Sequence, residues 1–273
     1  MGSLFTRRQK EELKRNGFVV VDDVVDQETI TEAREEFWRG IPYDRDDYEG
    51  LLEAPERIEN AWEYIDNPDP FAAINEQLFP YAEELAGEGT LEFPEGRIQV
   101  LPRFPGGDQR QGEELPSLHR ERGHIDGYGP HFDNHYEVGY YTVMTATYLD
   151  RVEPRGGGFI VWPGSHWYAG EYYSEYHLES LVNNATLPAY EDGEWDRCGY
   201  LSDQLDPLEI HGDAGTTIFW HQNLLHCGGI NRSPYVRLST IQRFVRPDRE
   251  EIKRDAYANI WKYWEGMQDI ELP

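Results

Sequence analysis

The feature that most constrains the fold of this chain is a His-x-Asp pair, His124 and Asp126, together with His226, which follows 102 residues after the first histidine. Two imidazoles and one carboxylate on one face of a metal ion form the ligand set of non-heme iron(II) sites, because they leave other positions open. On an extended strand, residues i and i+2 point to the same side, so one strand supplies two of the ligands. The fold must then return His226 to this strand, as a jelly roll of short antiparallel strands does.

The spacings of apolar residues that are typical of helices and of strands lie in different parts of the chain. Before residue 91, the pattern predicts helices at 6–15, 27–39 and 70–86, a buried strand at 18–21 and an irregular acidic segment at 41–68. After it, the pattern predicts strands at 97–101, around residue 124, and at 140–149, 158–162, 208–210, 216–220, 224–227 and 236–245, then a helix from 249 to about 264. We therefore expect one mainly β domain over 1–273, with helical support in 1–90, a jelly-roll core in 91–246 and a C-terminal helix in 247–273.

Two polar insertions, 106–123 and 168–206, interrupt the β-rich half. Loops longer than about 12–15 residues in a compact domain are often functional. Because both insertions flank the proposed site, we predict that they are lids.

The charge of the chain is strongly negative. It has 52 acidic and 25 basic residues, a formal net charge of −27, and only four of the basic residues are lysines. Such a surface repels nucleic acid and anionic membranes, so we expect neither as a partner. It also repels itself in dilute buffer, which suggests a halophilic protein that works in concentrated salt, where charges are screened. An acidic protein of an ordinary cytosol is the alternative.

The cysteine content and the hydropathy predict a cytoplasmic, reduced protein. The two cysteines, Cys198 and Cys227, lie in different segments, and no apolar leader precedes the polar start. No apolar run approaches the ~20 residues that span a bilayer.

Further motifs accompany the pair in a definite order. They are His124-Ile125-Asp126-Gly127, Tyr148-Leu149-Asp150, Gly157-Gly158, Trp162-Pro163-Gly164-Ser165-His166, Gly212-Asp213, Phe219-Trp220-His221, His226-Cys227-Gly228-Gly229-Ile230-Asn231, Ser233 and Arg237. Over roughly residues 95–246, this ordered set resembles the phytanoyl-CoA dioxygenase family of iron(II)/2-oxoglutarate oxygenases. The resemblance implies a cupin-like double-stranded β-helix that uses Fe(II), 2-oxoglutarate and O2 to hydroxylate a small-molecule substrate, with release of succinate and CO2.

When the functional residues of the family are matched one by one to this sequence, the resemblance implies that His124, Asp126 and His226 are the metal ligands. Arg237, eleven positions after His226, matches the arginine that pairs with the distal carboxylate of 2-oxoglutarate, a task that suits a planar guanidinium. Ser239 shares the strand face of Arg237 and is expected to add a hydroxyl. Because halogenating relatives replace the aspartate by a small residue, an intact Asp126 favours hydroxylation or desaturation. The sequence leaves the substrate and the oligomeric state open.

Two other histidines compete for the ligand positions. His131 and Asp133 repeat the His-x-Asp spacing, but Gly127 follows the first pair as in the family, and the second pair lies in a loop-like stretch. His221 has the wrong parity if one strand also carries His226. The Pro163–His166 segment predicts a tight turn within which His166 forms a hydrogen bond.

Other substrates and functions stay open at this point. An acyl-CoA substrate would need cations for its phosphates, and the nearest supply is Arg103, Arg110, Arg120 and Arg122. A non-oxidative cupin-like metal enzyme, an isomerase or a hydrolase, would use the same ligands without needing Arg237. A ligand-binding or structural jelly roll is disfavoured, because all three ligand positions are filled.

Overall fold

The computed structural model of the protein describes residues 2–106, 123–126, 140–175 and 204–272. The helices in these ranges are α1 Arg7–Asn16, α2 Gln27–Gly40, α3 Tyr48–Glu53, α4 Asp69–Ala86, α5 Ser165–Glu175 and α6 Arg249–Ala258, with a 3-10 turn at Ala61–Tyr64. The strands are β1 Phe18–Val21, β2 Gln99–Arg103, β3 Val143–Tyr148, β4 Phe159–Val161, β5 Leu208–Ile210, β6 Thr217–His221, β7 His226–Gly228 and β8 Arg237–Phe244. Among the described residues, no helix is both long and apolar enough to cross a bilayer.

Within the described residues, the strands form two antiparallel sheets, one of five strands in the order β1-β6-β3-β8-β2 and one of three strands in the order β5-β4-β7. From β3 onward, the chain passes from the large sheet to the small one, back to the large sheet at β6, to the small sheet at β7, and again to the large sheet at β8. This is the strand path of a double-stranded β-helix, as the sequence predicts. The fold is mainly β, with helices at both ends of the chain.

The large sheet is buried on both faces, because its alternating side chains enter two different apolar clusters. One face carries Met144 and Trp220, which pack against Phe159 and Ile210 of the small sheet. The opposite face packs against α2 and α4 in a cluster that contains residues such as Val143, Phe219, Leu238, Phe37 and Leu78. The interior between the sheets is therefore separate from the helical support. The prediction of one domain over the whole chain stays a prediction.

The start of the chain attaches to the end of β6. Thr6 and Gln9 form a capping box at the beginning of α1, and the helix ends at Gly17, which has a φ of 84° that favours glycine. The carbonyl of Gly17 accepts a hydrogen bond from the backbone N of His221 at 2.8 Å. Through this bond the first helix is connected to a central part of the fold.

Three local predictions need correction. The strand expected around His124 is an isolated bridge to His226 in the described residues, with one backbone hydrogen bond in each direction. The acidic segment 41–68 contains α3 and the 3-10 turn, since the Asp47 side chain accepts the backbone N–H of Gly50 and caps α3. The turn at Gly164 exists, with a φ of 84°, but His166 leaves it and donates from Nε2 to the carbonyl of Lys14 at 3.1 Å.

Most of both insertions lies outside the described residues. Of the first, 107–122 is not described, and of the second, 176–203 is not described. The second insertion begins as an ordered helix rather than as a loop, because α5 continues to Glu175. The role of both insertions as lids stays a prediction.

Acid is expected to destabilise the fold through a buried histidine, His221. Its Nε2 donates to the carbonyl of Ile260 at 2.6 Å, its Nδ1 accepts from the backbone N of Asn223 at 3.0 Å, and its ring stacks on Trp264. Burial lowers the pKa of His221 to about 4, against 6.5 for an exposed histidine. Below pH 6.5, His221 therefore binds a proton in the unfolded chain but stays neutral in the folded protein. As a result, the free energy of unfolding decreases as the pH decreases toward 4.

The size of this effect is about 2 kcal/mol at pH 5 for one such histidine. We expect the free energy of unfolding, measured by urea denaturation of the metal-free protein, to decrease between pH 7 and pH 5. The variant His221→Gln should show a smaller decrease over the same range. Equal pH slopes for the two proteins would contradict the assignment to His221.

Candidate metal centre

The structure brings together His124, Asp126 and His226, the three residues that the sequence predicts as metal ligands. Each offers one ligand atom, and the three atoms all lie within 4.8 Å of one another. Oδ1 of Asp126 lies 3.4 Å from Nε2 of His124 and 3.7 Å from Nε2 of His226. One carboxylate oxygen therefore faces both imidazoles.

Backbone pairing explains how residues so distant in sequence meet. His226 is the first residue of β7, where it pairs with Val161 of β4, and on its other side it forms the isolated bridge to His124. The turn that follows His124 then places Asp126 beside both rings. The pair thus converges through a bridge and a turn, and not through the continuous strand that its spacing suggests.

The tautomer of His226 suits metal binding. Its Nδ1 donates to the carbonyl of Leu224 at 2.9 Å, so that the lone pair of Nε2 points toward Asp126. Its ring lies against Phe159 and Trp220, at centroid distances of 5.1 and 5.4 Å. This packing fixes the ring plane, while half of the His124 side chain is exposed.

The charges around the cluster favour the forms that bind a metal. Burial, and then the nearby His124, lower the pKa of His226 to about 4, so that its imidazole is neutral at pH 7. Burial alone would raise the pKa of Asp126. At the low pH where this carboxyl group titrates, the hydrogen bond with His124 and the positive charges of the protonated His226 and of Arg243 outweigh burial, and they lower the pKa of Asp126 below its usual value.

A divalent transition metal fits this donor set. Two ligands at right angles, each ~2.1 Å from a metal, are roughly 3 Å apart, which is close to the separations of 3.4 and 3.7 Å seen here. Two imidazoles with one carboxylate favour iron(II) chemistry over the all-oxygen sites that magnesium and calcium prefer. The residues present could therefore hold iron(II) and leave positions free for other ligands.

Arg237 is a buried cation without an acidic partner among the described residues. Only 6% of its surface is exposed. Its Nε donates to the carbonyl of Gly157 at 3.0 Å, and its Nη1 donates to Oγ of Ser239. The carboxylate of Glu209, whose charge influences Arg237, instead accepts the backbone N–H groups of Arg155 and Gly158. Burial, and then the nearby Arg103, lower the pKa of Arg237 to about 9, which leaves it charged at pH 7.

A short segment that leads into β4 connects Arg237 to the metal cluster. Gly157 accepts the hydrogen bond from Arg237, and Phe159, two residues later, lies on the ring of His226. One short backbone segment therefore contacts both the guanidinium of Arg237 and the imidazole of His226. Tyr148 crosses between the sheets at the same place, where it donates to the carbonyl of Ile210 at 2.6 Å and accepts from the backbone N of Phe159 at 2.9 Å.

Sequence reasoning missed Arg243. This residue of β8 donates from Nε to Oδ2 of Asp126 at 2.8 Å, which is the shortest polar contact of the triad carboxylate with another side chain of the described residues. Strand parity is the signal that could have found it, because residues 237, 239, 241 and 243 share one face of β8. Strand parity predicts the face on which Arg243 lies, but it does not predict which carboxylate the arginine contacts.

Several competing residues lie elsewhere or outside the described ranges. His221 contacts Trp261 and Trp264, and not the metal cluster. Arg103 pairs with Glu56 at 3.2 Å. The second His-x-Asp pair and the other arginines considered for an acyl-CoA lie outside the described residues, at His131, Asp133, Arg110, Arg120 and Arg122.

Comparison with solved structures finds similar chains at low sequence identity. No family model and no curated protein matches it. The crystal structure of EvdMO1 superposes with a TM-score of 0.52 and 18% identity, over 88% of this chain and 50% of that one. HygX from Streptomyces hygroscopicus, solved with nickel and 2-oxoglutarate bound, gives a TM-score of 0.49 and 19% identity, over 89% of this chain and 88% of HygX. The epimerase SnoN, solved with Fe3+, alpha-ketoglutarate and nogalamycin RO, gives 0.47 and 18%, over 88% of this chain and 82% of SnoN. Membership of the phytanoyl-CoA dioxygenase family itself stays a prediction.

Proposed function

We propose that the chain is an iron(II)/2-oxoglutarate-dependent dioxygenase that hydroxylates a C–H bond of a small molecule. In the overall balance, one oxygen atom of O2 enters the substrate, the other enters succinate, and 2-oxoglutarate loses CO2. When bound, iron(II) supplies the activation of dioxygen that this reaction needs.

One observation supports the proposal: the same β-sheets carry a three-donor cluster and a buried guanidinium that forms no ion pair with a carboxylate of the described residues. The cluster is His124, Asp126 and His226, and the guanidinium is that of Arg237. A buried charge without a counter-charge costs several kcal/mol, so its presence calls for an anion that arrives with a ligand. A dicarboxylate that chelates the metal at one end supplies that anion at the other.

Each residue has a defined task in this proposal. His124, Asp126 and His226 hold the metal through one atom each. Arg237 binds the distal carboxylate of the co-substrate, and Ser239, whose hydroxyl already contacts Arg237, adds a second donor to the same carboxylate. Phe159 and Trp220 exclude water from the side of His226, where a dry site strengthens charge interactions.

The non-oxidative metal enzyme remains the alternative, and it explains less. An isomerase or hydrolase on this fold would use the same three ligands, but it would have no dicarboxylate for the buried Arg237 to bind. A titration distinguishes the two functions directly, because only the oxygenase needs 2-oxoglutarate on the metal.

The test is an anaerobic titration of the metal-free protein, in concentrated KCl, with iron(II) and then with 2-oxoglutarate. We expect a visible charge-transfer band of the chelate to grow to one equivalent of 2-oxoglutarate. Succinate, which lacks the 2-oxo group, is the matched control and should give no band. Iron binding without any band would favour the non-oxidative enzyme, and no metal binding would favour an inert jelly roll.

A further inference from the structure

The two oxygen atoms of the Asp126 carboxylate face different groups. Oδ1 lies 3.4 and 3.7 Å from the Nε2 atoms of His124 and His226. Oδ2 instead accepts a hydrogen bond from Nε of Arg243 at 2.8 Å. The side chain of Asp126 is only 11% exposed, so the second oxygen has little access to water. One oxygen is thus available to a metal, and the other is engaged by a cation.

Arg243 is itself held in place from several sides. Its Nη1 donates to Oε1 of Gln99 at 3.1 Å, and its guanidinium lies over the ring of Tyr141 at 5.5 Å from the centroid. The backbone N of Tyr141 donates to Oε1 of Gln222, whose amide group contacts the hydroxyl of Tyr257 in α6. The guanidinium therefore meets Asp126 in a fixed orientation, unlike the pairs of long flexible side chains at a protein surface.

A carboxylate that binds a metal through both oxygens occupies one more position than a carboxylate that binds through one. A six-coordinate metal held by three protein donors would have three positions left, and the two co-substrates of the proposed reaction would need all three. A second bond from Asp126 would remove one of these positions. A charge-assisted hydrogen bond to Oδ2 opposes that second bond.

We propose that Arg243 is a positioning residue that keeps Asp126 in the one-oxygen mode of metal binding. The inference rests on the proposed function, because it concerns the same metal centre. It assigns Arg243 a role distinct from that of Arg237: one arginine sets the coordination of the metal, and the other binds the distal end of the co-substrate.

The test uses cobalt(II), whose visible absorption depends on coordination number and geometry, and needs no turnover. The variant is Arg243→Met. The matched control is Arg246→Met, because Arg246 also forms a close ion pair, with Asp248 at 2.9 Å, and also lies over a tyrosine, Tyr263, but does not contact Asp126. Cobalt(II) is added first, and 2-oxoglutarate is then titrated into each cobalt protein.

We expect wild type and Arg246→Met to give the same cobalt spectrum and the same affinity for 2-oxoglutarate. Arg243→Met should give a different spectrum and bind 2-oxoglutarate about tenfold more weakly, the lower end of what changes around metal ligands produce. Arg243→Lys, which keeps the charge, should return the spectrum part of the way to that of wild type. If Arg243→Met does not fold, Arg243→Gln repeats the measurement with a polar side chain at this partly exposed position.

Two negative results have different meanings. If wild type binds cobalt(II) and 2-oxoglutarate, and the Arg243 and Arg246 variants behave alike, the role of Arg243 is overturned while the proposed function stands. If wild type binds no cobalt(II), the metal centre and the proposed function fail together.

Discussion

Replacing His226 by alanine is expected to abolish stoichiometric iron(II) binding and, with it, the charge-transfer band formed with 2-oxoglutarate. His226 is the buried member of the histidine pair, and its Nε2 is fixed toward Asp126 by the bond from Nδ1 to Leu224. Changes around metal ligands cost 10–100-fold in affinity, so the loss of a ligand itself should cost more than roughly 100-fold. Equilibrium dialysis against iron(II), with metal analysis of the protein, measures this loss.

A matched control separates the loss of a ligand from the loss of packing. His221 is also a buried histidine whose ring nitrogens bond to backbone groups, and it also packs among aromatic rings. Both His226→Ala and His221→Ala should lower the free energy of unfolding, by about 2–4 kcal/mol each. Only His226→Ala should lose the metal. Iron(II) bound at one equivalent in His226→Ala would remove this residue from the ligand set.

Many of the strand positions could be predicted, because both faces of the large sheet are buried and its strands are short apolar runs. The strand at 208–210 agrees with β5, and 236–245 contains β8. The prediction of 97–101 is displaced, since β2 runs from Gln99 to Arg103 and includes Pro102. An edge strand tolerates proline, and β2 is at the edge of the large sheet. Edge position depends on the whole topology, which a local pattern does not contain.

The contacts of the candidate site could likewise be predicted only in part from the sequence. The spacing of His124 and Asp126, and the ordered motifs around His226, allowed the three-residue cluster to be predicted, and these residues do lie together. The partner of Arg243 could not be predicted, because Asp126 is 117 residues away in sequence. His166 is a similar case, since its acceptor, the carbonyl of Lys14, lies in the first helix. The halophilic character and the cytoplasmic location stay predictions.

Replacing Arg237 by methionine is expected to weaken 2-oxoglutarate binding strongly while leaving metal binding intact. Hydrogen bonds to charged groups contribute about 1.5–3 kcal/mol each, and two such bonds to a carboxylate correspond to a loss of roughly 100-fold or more. Titration of the iron(II) protein with 2-oxoglutarate, followed by the charge-transfer band, measures the change in Kd. Arg237→Lys keeps the charge without the planar pair of donors, and its affinity should lie between those of wild type and Arg237→Met.

The stability of Arg237→Met distinguishes a ligand-binding arginine from a structural one. In the described residues, Arg237 forms hydrogen bonds with neutral partners, Gly157 and Ser239, and no ion pair with a carboxylate. Removing a buried cation of this kind saves its desolvation energy, which offsets the lost hydrogen bonds, whereas breaking a buried ion pair costs about 3–5 kcal/mol. We therefore expect the metal-free variant to unfold within about 1 kcal/mol of wild type in urea. A large loss of stability together with an unchanged Kd for 2-oxoglutarate would make Arg237 a structural residue and would favour the non-oxidative metal enzyme.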